Sequence, residues 1–174
     1  MHTEEMRTED LKDLYEYGCW ADDRLFPVVL QLTPQQFTQP VGGMYSSVRD
    51  VLVHLASAQW GWLSQCGGPQ RGPALSPPDF PTAASVRDVS SRIRGYMSEF
   101  LSTLEGADLD RIIDCRNRNG EIHPMALGEL ARHSIIHGVH HRGQIALMLQ
   151  LLGYDPGNFD ILLYYAERRG ISAW

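Results

Sequence analysis

The segment HSIIHGVHHRGQ, His133 to Gln144, carries four of the seven histidines in a chain of 174 residues. Imidazoles at this density can bind a metal, sense pH, or lie unremarkably along a polar helix face. Helical geometry sorts them. With about 100° per residue and His137 set at zero, Leu127, Leu130, Ser134, Gly138, Ile145, Met148 and Leu152 fall within roughly 20° to 100°, which marks the buried side. His137 and His141 lie at about 0° and 40°, in or beside that arc, whereas His133 and His140 lie at about -40° and -60°, towards solvent with Glu129. The inner pair is one turn apart, so two imidazoles can converge on one ion at about 2.0 to 2.1 Å from each nitrogen.

A third ligand has to come from another element. His54, in DVLVHLASAQWGWL, lies on the flank of a stripe formed by Val48, Val51, Leu55, Ala58 and Trp62, and is placed to reach a neighbouring helix. Asp50, one turn earlier, could hold the second nitrogen of a ligating imidazole. Spacing alone leaves two readings open: a three-histidine metal site at His54, His137 and His141, or hydrogen-bonded core histidines. Burying three imidazoles without a shared partner would strand polar nitrogens at about 1 to 3 kcal/mol each. Two other metal patterns are excluded. His137-Gly-Val-His-His141 has glycine where a zinc peptidase carries its general base, and Glu129 precedes His133 by four rather than three, unlike di-iron bundles. His2 and His123 fall in a tail and a loop.

The elements holding these residues follow from pattern and composition. Hydrophobic residues at 43% and charged residues at 21% suit one globular domain spanning the chain. A net charge of -6 offers no basic field for nucleic acid or anionic lipid. The longest apolar runs, such as LFPVVLQL, are far shorter than the roughly 20 residues of a membrane span. An acidic, polar N-terminus is unlike a signal peptide, so a cytoplasmic protein is expected. Cys19, Cys66 and Cys115 are odd in number and widely spaced, which argues against disulfides and thiolate zinc; Cys66, in QCGGPQ, is expected to be exposed and is the candidate reactive thiol.

Apolar spacings of three and four predict helices over about Thr8–Leu32, from Ser46 or Ser47 to about Gln65, over about Ala83–Glu105, and over about Met125–Leu152. Asn119-Gly120 predicts a small hairpin or extended loop before the last of these, and FDILLYYAE a short final helix. Five prolines and three glycines between Cys66 and Pro81 predict an irregular surface segment. Four amphipathic helices predict an all-α four-helix bundle with short or crossing connections. Gly138 and Gly143 each weaken a helix by about 1 kcal/mol relative to alanine. Gly138, on the buried arc, suggests room for a bulky side chain from a neighbouring helix, and Gly143 suggests close approach of another subunit.

VRDVLVHLASAQWGWL, HGVHHRGQIALMLQLLGYDP and FDILLYY, in this order, resemble the DinB/YfiT family of metal-dependent bundle proteins. His140 to Gln144 is the most specific part. The resemblance implies a four-helix bundle binding zinc, nickel or a similar ion through His54, His137 and His141. It also implies a homodimer and, in some relatives, transfer of a low-molecular-weight thiol to a small electrophile. Many relatives carry an acidic residue five places after the first histidine, where this chain has Gln59. Three neutral ligands with no fourth suggest an open position for a small-molecule substrate, and hence a thiol S-transferase or a hydrolase. The alternative is a non-catalytic helical scaffold, metal-stabilised or metal-free, that binds a ligand or partner through its stripe and Trp60 and Trp62.

Overall fold

The computed structural model describes residues 7–70, 72–117 and 119–171, so His2 lies outside the described residues. Four long helices form, with shorter elements between and after them: α1 (Thr8–Val29), α2 (Pro34–Thr38), α3 (Val48–Gln65), α4 (Ala83–Thr103), β1 (Ile112–Arg116), β2 (Ile122–Ala126), α5 (Leu127–Leu151) and α6 (Ile161–Arg168). The architecture is an all-α four-helix bundle with a small hairpin before α5. Helix starts follow local chemistry. Ser47 accepts a hydrogen bond from the Asp50 amide at 3.2 Å and Thr82 one from the Ser85 amide at 3.3 Å, each satisfying an amide that the first turn leaves without a partner.

The first helix stops three residues before the predicted Leu32. Pro34 disfavours helical backbone at Thr33, which is extended at ψ 157°. Thr33 instead caps α2, exchanging hydrogen bonds with Gln36 in a capping box. The hairpin pairs β1 with β2 antiparallel, Cys115 facing His123, and Gly120 takes the positive φ of 84° that its turn requires.

Two apolar clusters show how the helices run. One end joins Leu25 and Val29 of α1, Val48 and Val51 of α3, Val86 of α4, and Ile145 and Leu149 of α5 around Phe37. The other joins Leu11, Leu63, Met97, Leu101, Leu127 and Leu130. So α1 and α5 run one way and α3 and α4 the other. Helix α3 packs on α5 and α4, and α1 on the same two, with consecutive long helices α1 and α3, and α4 and α5, across the diagonals. Those are the crossing connections. Because α3 and α4 are parallel, the proline-rich segment between them has to run back along the bundle, roughly 27 Å for an 18-residue helix.

Between the clusters sits a buried ion pair. The Arg142 guanidinium, in a residue only 4% exposed, donates from Nε to Asp22 Oδ1 at 2.7 Å and from a terminal nitrogen to Oδ2 at 3.1 Å, tying α5 to α1. Two glycines make room for it: a Cβ on Gly138 would lie 3.0 Å from one guanidinium nitrogen, and a Cβ on Gly18 3.2 Å from the other. Gly138 therefore accommodates a side chain of its own helix, not of a neighbouring one as the buried arc suggested. Replacing Gly138 by alanine is expected to lower stability by about 1 to 2 kcal/mol despite alanine's better helix propensity, because the ion pair has to shift. At Gly95, in α4, an added Cβ would meet no atom within 4 Å, and the same change is expected to gain about 0.5 to 1 kcal/mol. Urea midpoints of the two variants check the contrast.

Candidate metal centre

His54 projects from the middle of α3 and His137 and His141 from successive turns of α5, where these two antiparallel helices meet. The His137 Nε2 lies 3.3 Å from His54 Nε2 and 3.0 Å from His141 Nε2, and one nitrogen from each ring lies within 4.8 Å of the others. His141 is buried and the other two are half-buried. An ion at about 2.0 to 2.1 Å from each nitrogen in tetrahedral arrangement sets ligand nitrogens about 3.3 Å apart. The two spacings from His137 match that requirement, and the third, within 4.8 Å, is short enough for one ion to be shared.

Burial also favours the metal-binding protonation state of the two α5 rings. Burial first, then the neighbouring imidazoles, pushes the His137 pKa down from 6.5 to about 4. Burial also lowers that of His141, against the hydrogen bond it donates to Gln144, which raises it. Neutral imidazole is the form that ligates a metal. In metal-free protein the sign follows from His137 taking its proton more readily when unfolded. The stability it contributes is full above pH 6.5 and is lost as pH falls from 6.5 towards 4. In chelator, the fall in melting temperature between pH 6.5 and 5 is expected to be smaller for His137→Asn than for the parent. Equal slopes would contradict the shift.

Orientation of His141 comes from Gln144. The His141 Nδ1 hydrogen points to Gln144 Oε1 at 2.7 Å, leaving the Nε2 lone pair directed at the other rings, and the Gln144 amide nitrogen donates to His140 Nε2 at 3.2 Å. Asp50 does not have the role suggested for it. Its carboxylate is taken up by the Ser46 hydroxyl at 2.8 Å and Arg49 at 3.0 Å, beside the start of α3. Gln144 has a signal in the sequence, three residues after His141, a spacing that places it on the same helix face. Tyr45 has none: it stacks on His54 at 4.4 Å between ring centroids and meets His141 edge-on at 5.5 Å, reaching them from the loop before α3. The Nδ1 of His137 is buried without a hydrogen-bond partner among the described residues.

The outer pair is exposed. His133 packs edge-on against Trp62, centroids 4.7 Å apart, and lies 5.5 Å from the His137 ring; His140 lies 5.0 Å from His141. His123 is elsewhere, exposed on β2 beside Asn117 and Glu121. Cys66 corrects an expectation. It is 5% exposed under the end of α3, and burial pushes its thiol up to about 11, so it is neither accessible nor activated.

Comparison with known proteins agrees with this geometry. The family model described as "DinB family" matches residues 4–170. The chain belongs to the DinB family. Among curated relatives, Protein DinB of Bacillus subtilis is 27% identical over 158 residues, covering 87% of this chain and 91% of that protein. The uncharacterized protein YizA of the same organism is 22% identical over 142 residues, covering 82% and 87%. The crystal structure of a DinB-like protein from Bacillus cereus superposes with a TM-score of 0.74 at 22% identity, covering 88% of this chain and 98% of that one. That likeness shows the shared fold. As a DinB family member the chain has three histidines grouped so that they could hold a metal ion. No helix among the described residues is long and apolar enough to cross a membrane.

Proposed function

We propose that this DinB family protein is a metal-dependent enzyme in which His54, His137 and His141 hold a divalent cation, zinc or nickel, and leave a position open to a small substrate. The observation that carries this is the convergence of three imidazole nitrogens without an acidic group among them. Bound there, the ion would supply Lewis acidity sufficient to take the proton from a thiol or a water at neutral pH. A low-molecular-weight thiol transferred to an electrophile is the favoured reaction, and hydrolysis its variant.

The surrounding residues have separable duties. Gln144 fixes the tautomer of His141, and Tyr45 covers His54 and His141 from one side. His133 and His140, on the solvent side, are available to pass a proton between substrate and water. Elemental analysis of untagged protein, together with turnover of electrophiles in the presence of bacillithiol, mycothiol or glutathione, tests the reading. Bound metal with thiol-dependent turnover is expected. Stoichiometric metal with no turnover across the panel would instead favour a metal-stabilised scaffold.

A second copy of the chain would seat on α5, where Ile136, Val139, Leu147 and Leu151 are exposed around Gly143, which has open space about its Cα. Light scattering is expected to give a dimer, and Leu147→Glu a monomer; a monomeric parent protein removes this part of the proposal.

A further inference from the structure

Between the two apolar clusters lies a chamber of about 510 Å³, lined by α1, α3, α4 and α5 and open to solvent on one side. Close-packed interiors leave few voids larger than a water molecule, whereas small-molecule sites occupy roughly 300 to 1,000 Å³. The imidazole centre is not part of it. None of its three histidines lines the chamber; Leu55 and Gln59 face it from α3, and Ser134 and Arg142 from α5.

The walls state what the chamber would accept. Leu14, Phe26, Leu52, Leu55 and Ile135 make them mainly apolar. Three arginines and three aspartates also line it, and each cation already has its carboxylate: Arg142 with Asp22, Arg94 with Asp23, Arg87 with Asp88. A charged ligand would have to displace one of these partners, and a neutral one leaves every pair intact. Four lining amides or hydroxyls have no hydrogen-bond partner among the described residues, Ser90 and Ser91 of α4 and, across the chamber, Gln59 and Ser134. The Gln59 amide is half-buried and the Ser134 hydroxyl belongs to a residue only 6% exposed. Gln59 offers a donor and an acceptor, and Ser134 either.

The way in lies between α1 and α4, the adjacent pair that packs least closely. There the Arg94 guanidinium reaches Asp23 near the surface, and the part-buried Tyr15 hydroxyl donates to the Arg94 carbonyl at 3.1 Å. An exposed ion pair of this kind is worth about 0 to 1 kcal/mol, so the Arg94–Asp23 pair can open without unfolding the bundle.

We propose that this chamber is a binding site for a neutral, mainly apolar small molecule with one hydrogen-bonding group, held by the apolar walls and by Gln59 and Ser134. It is separate from the imidazole centre and does not depend on the metal reading. The probe is N-phenyl-1-naphthylamine, a neutral three-ring amine whose fluorescence rises on leaving water. Saturable one-to-one binding is expected, weakened at least tenfold by Gln59→Trp, which fills the chamber, and also by Ser134→Leu, each variant first shown to be folded by circular dichroism. Chelator and His137→Ala are expected to leave the affinity unchanged. The sulfonated analogue 8-anilinonaphthalene-1-sulfonate is expected to bind at least tenfold more weakly. Absence of saturable binding, indifference to both chamber variants, equal affinity for the sulfonate, or loss of binding in His137→Ala would each overturn the proposal.

Discussion

Replacing His137 by alanine is expected to weaken zinc or nickel binding at least about 100-fold, more than the 10- to 100-fold typical of removing a group that only orients a ligand. His137 is the sensitive position because its Nε2 stands between the other two, 3.0 and 3.3 Å away. The consequence for stability is concentration-dependent. Metal at about 100 times the dissociation constant adds roughly 2.7 kcal/mol to the folded state, equivalent to about 5 to 11 °C in melting temperature for a chain of this size. Titration calorimetry and thermal melts with and without metal check both effects. His133→Ala, outside the converging group, is expected to keep the full metal-induced rise. If His137→Ala retained that rise, the three rings would be hydrogen-bonded core histidines and not a metal centre.

The second large effect belongs to the ion pair. Arg142→Met is expected to cost about 3 kcal/mol, the lower end of the range for breaking a buried pair, because Asp22 keeps some contact with water at 26% side-chain exposure. Its melting temperature should fall by about 6 to 12 °C. The double variant Arg142→Met, Asp22→Leu should recover part of the loss, since it removes the stranded carboxylate and fills the space with apolar surface. Additive losses in the double variant would show that the two groups act independently. Arg142 follows His141 in the chain yet reaches α1 where His141 meets His54 of α3, so this test perturbs the α1–α5 contact without touching an imidazole nitrogen.

Much of the fold and the site is legible in the amino-acid order. The α3 and α5 stripes, the Ser47 cap, the Asn119-Gly120 turn and the closing α6 all rest on local periodicity and turn chemistry, which a single sequence carries in full. The division of the histidines holds as well, because residues on one rigid helix keep fixed angles: His141 is buried and His133 and His140 are exposed. Where the expectation fails, the partner is one that spacing does not announce. Position alone makes Asp50 available to a ligating imidazole, yet Ser46 and Arg49 claim its carboxylate. Glycine and proline after Cys66 suggest exposure, yet the hairpin and the start of α5 close over it, with Cys115 in the same cluster.

The amino-acid order alone carries the set of helices, their buried faces and the placing of His137 and His141 one turn apart on the inner side of α5, since these follow from bonds and angles within one segment. Packing between helices settles the rest: that His54 meets the α5 pair, that α3 and α4 run parallel, that Arg142 reaches across to Asp22 past two glycines, and that a pocket opens between the apolar ends. Those features depend on how separate helices meet in space. A helix specifies its own face but not the side chain that will stand opposite it.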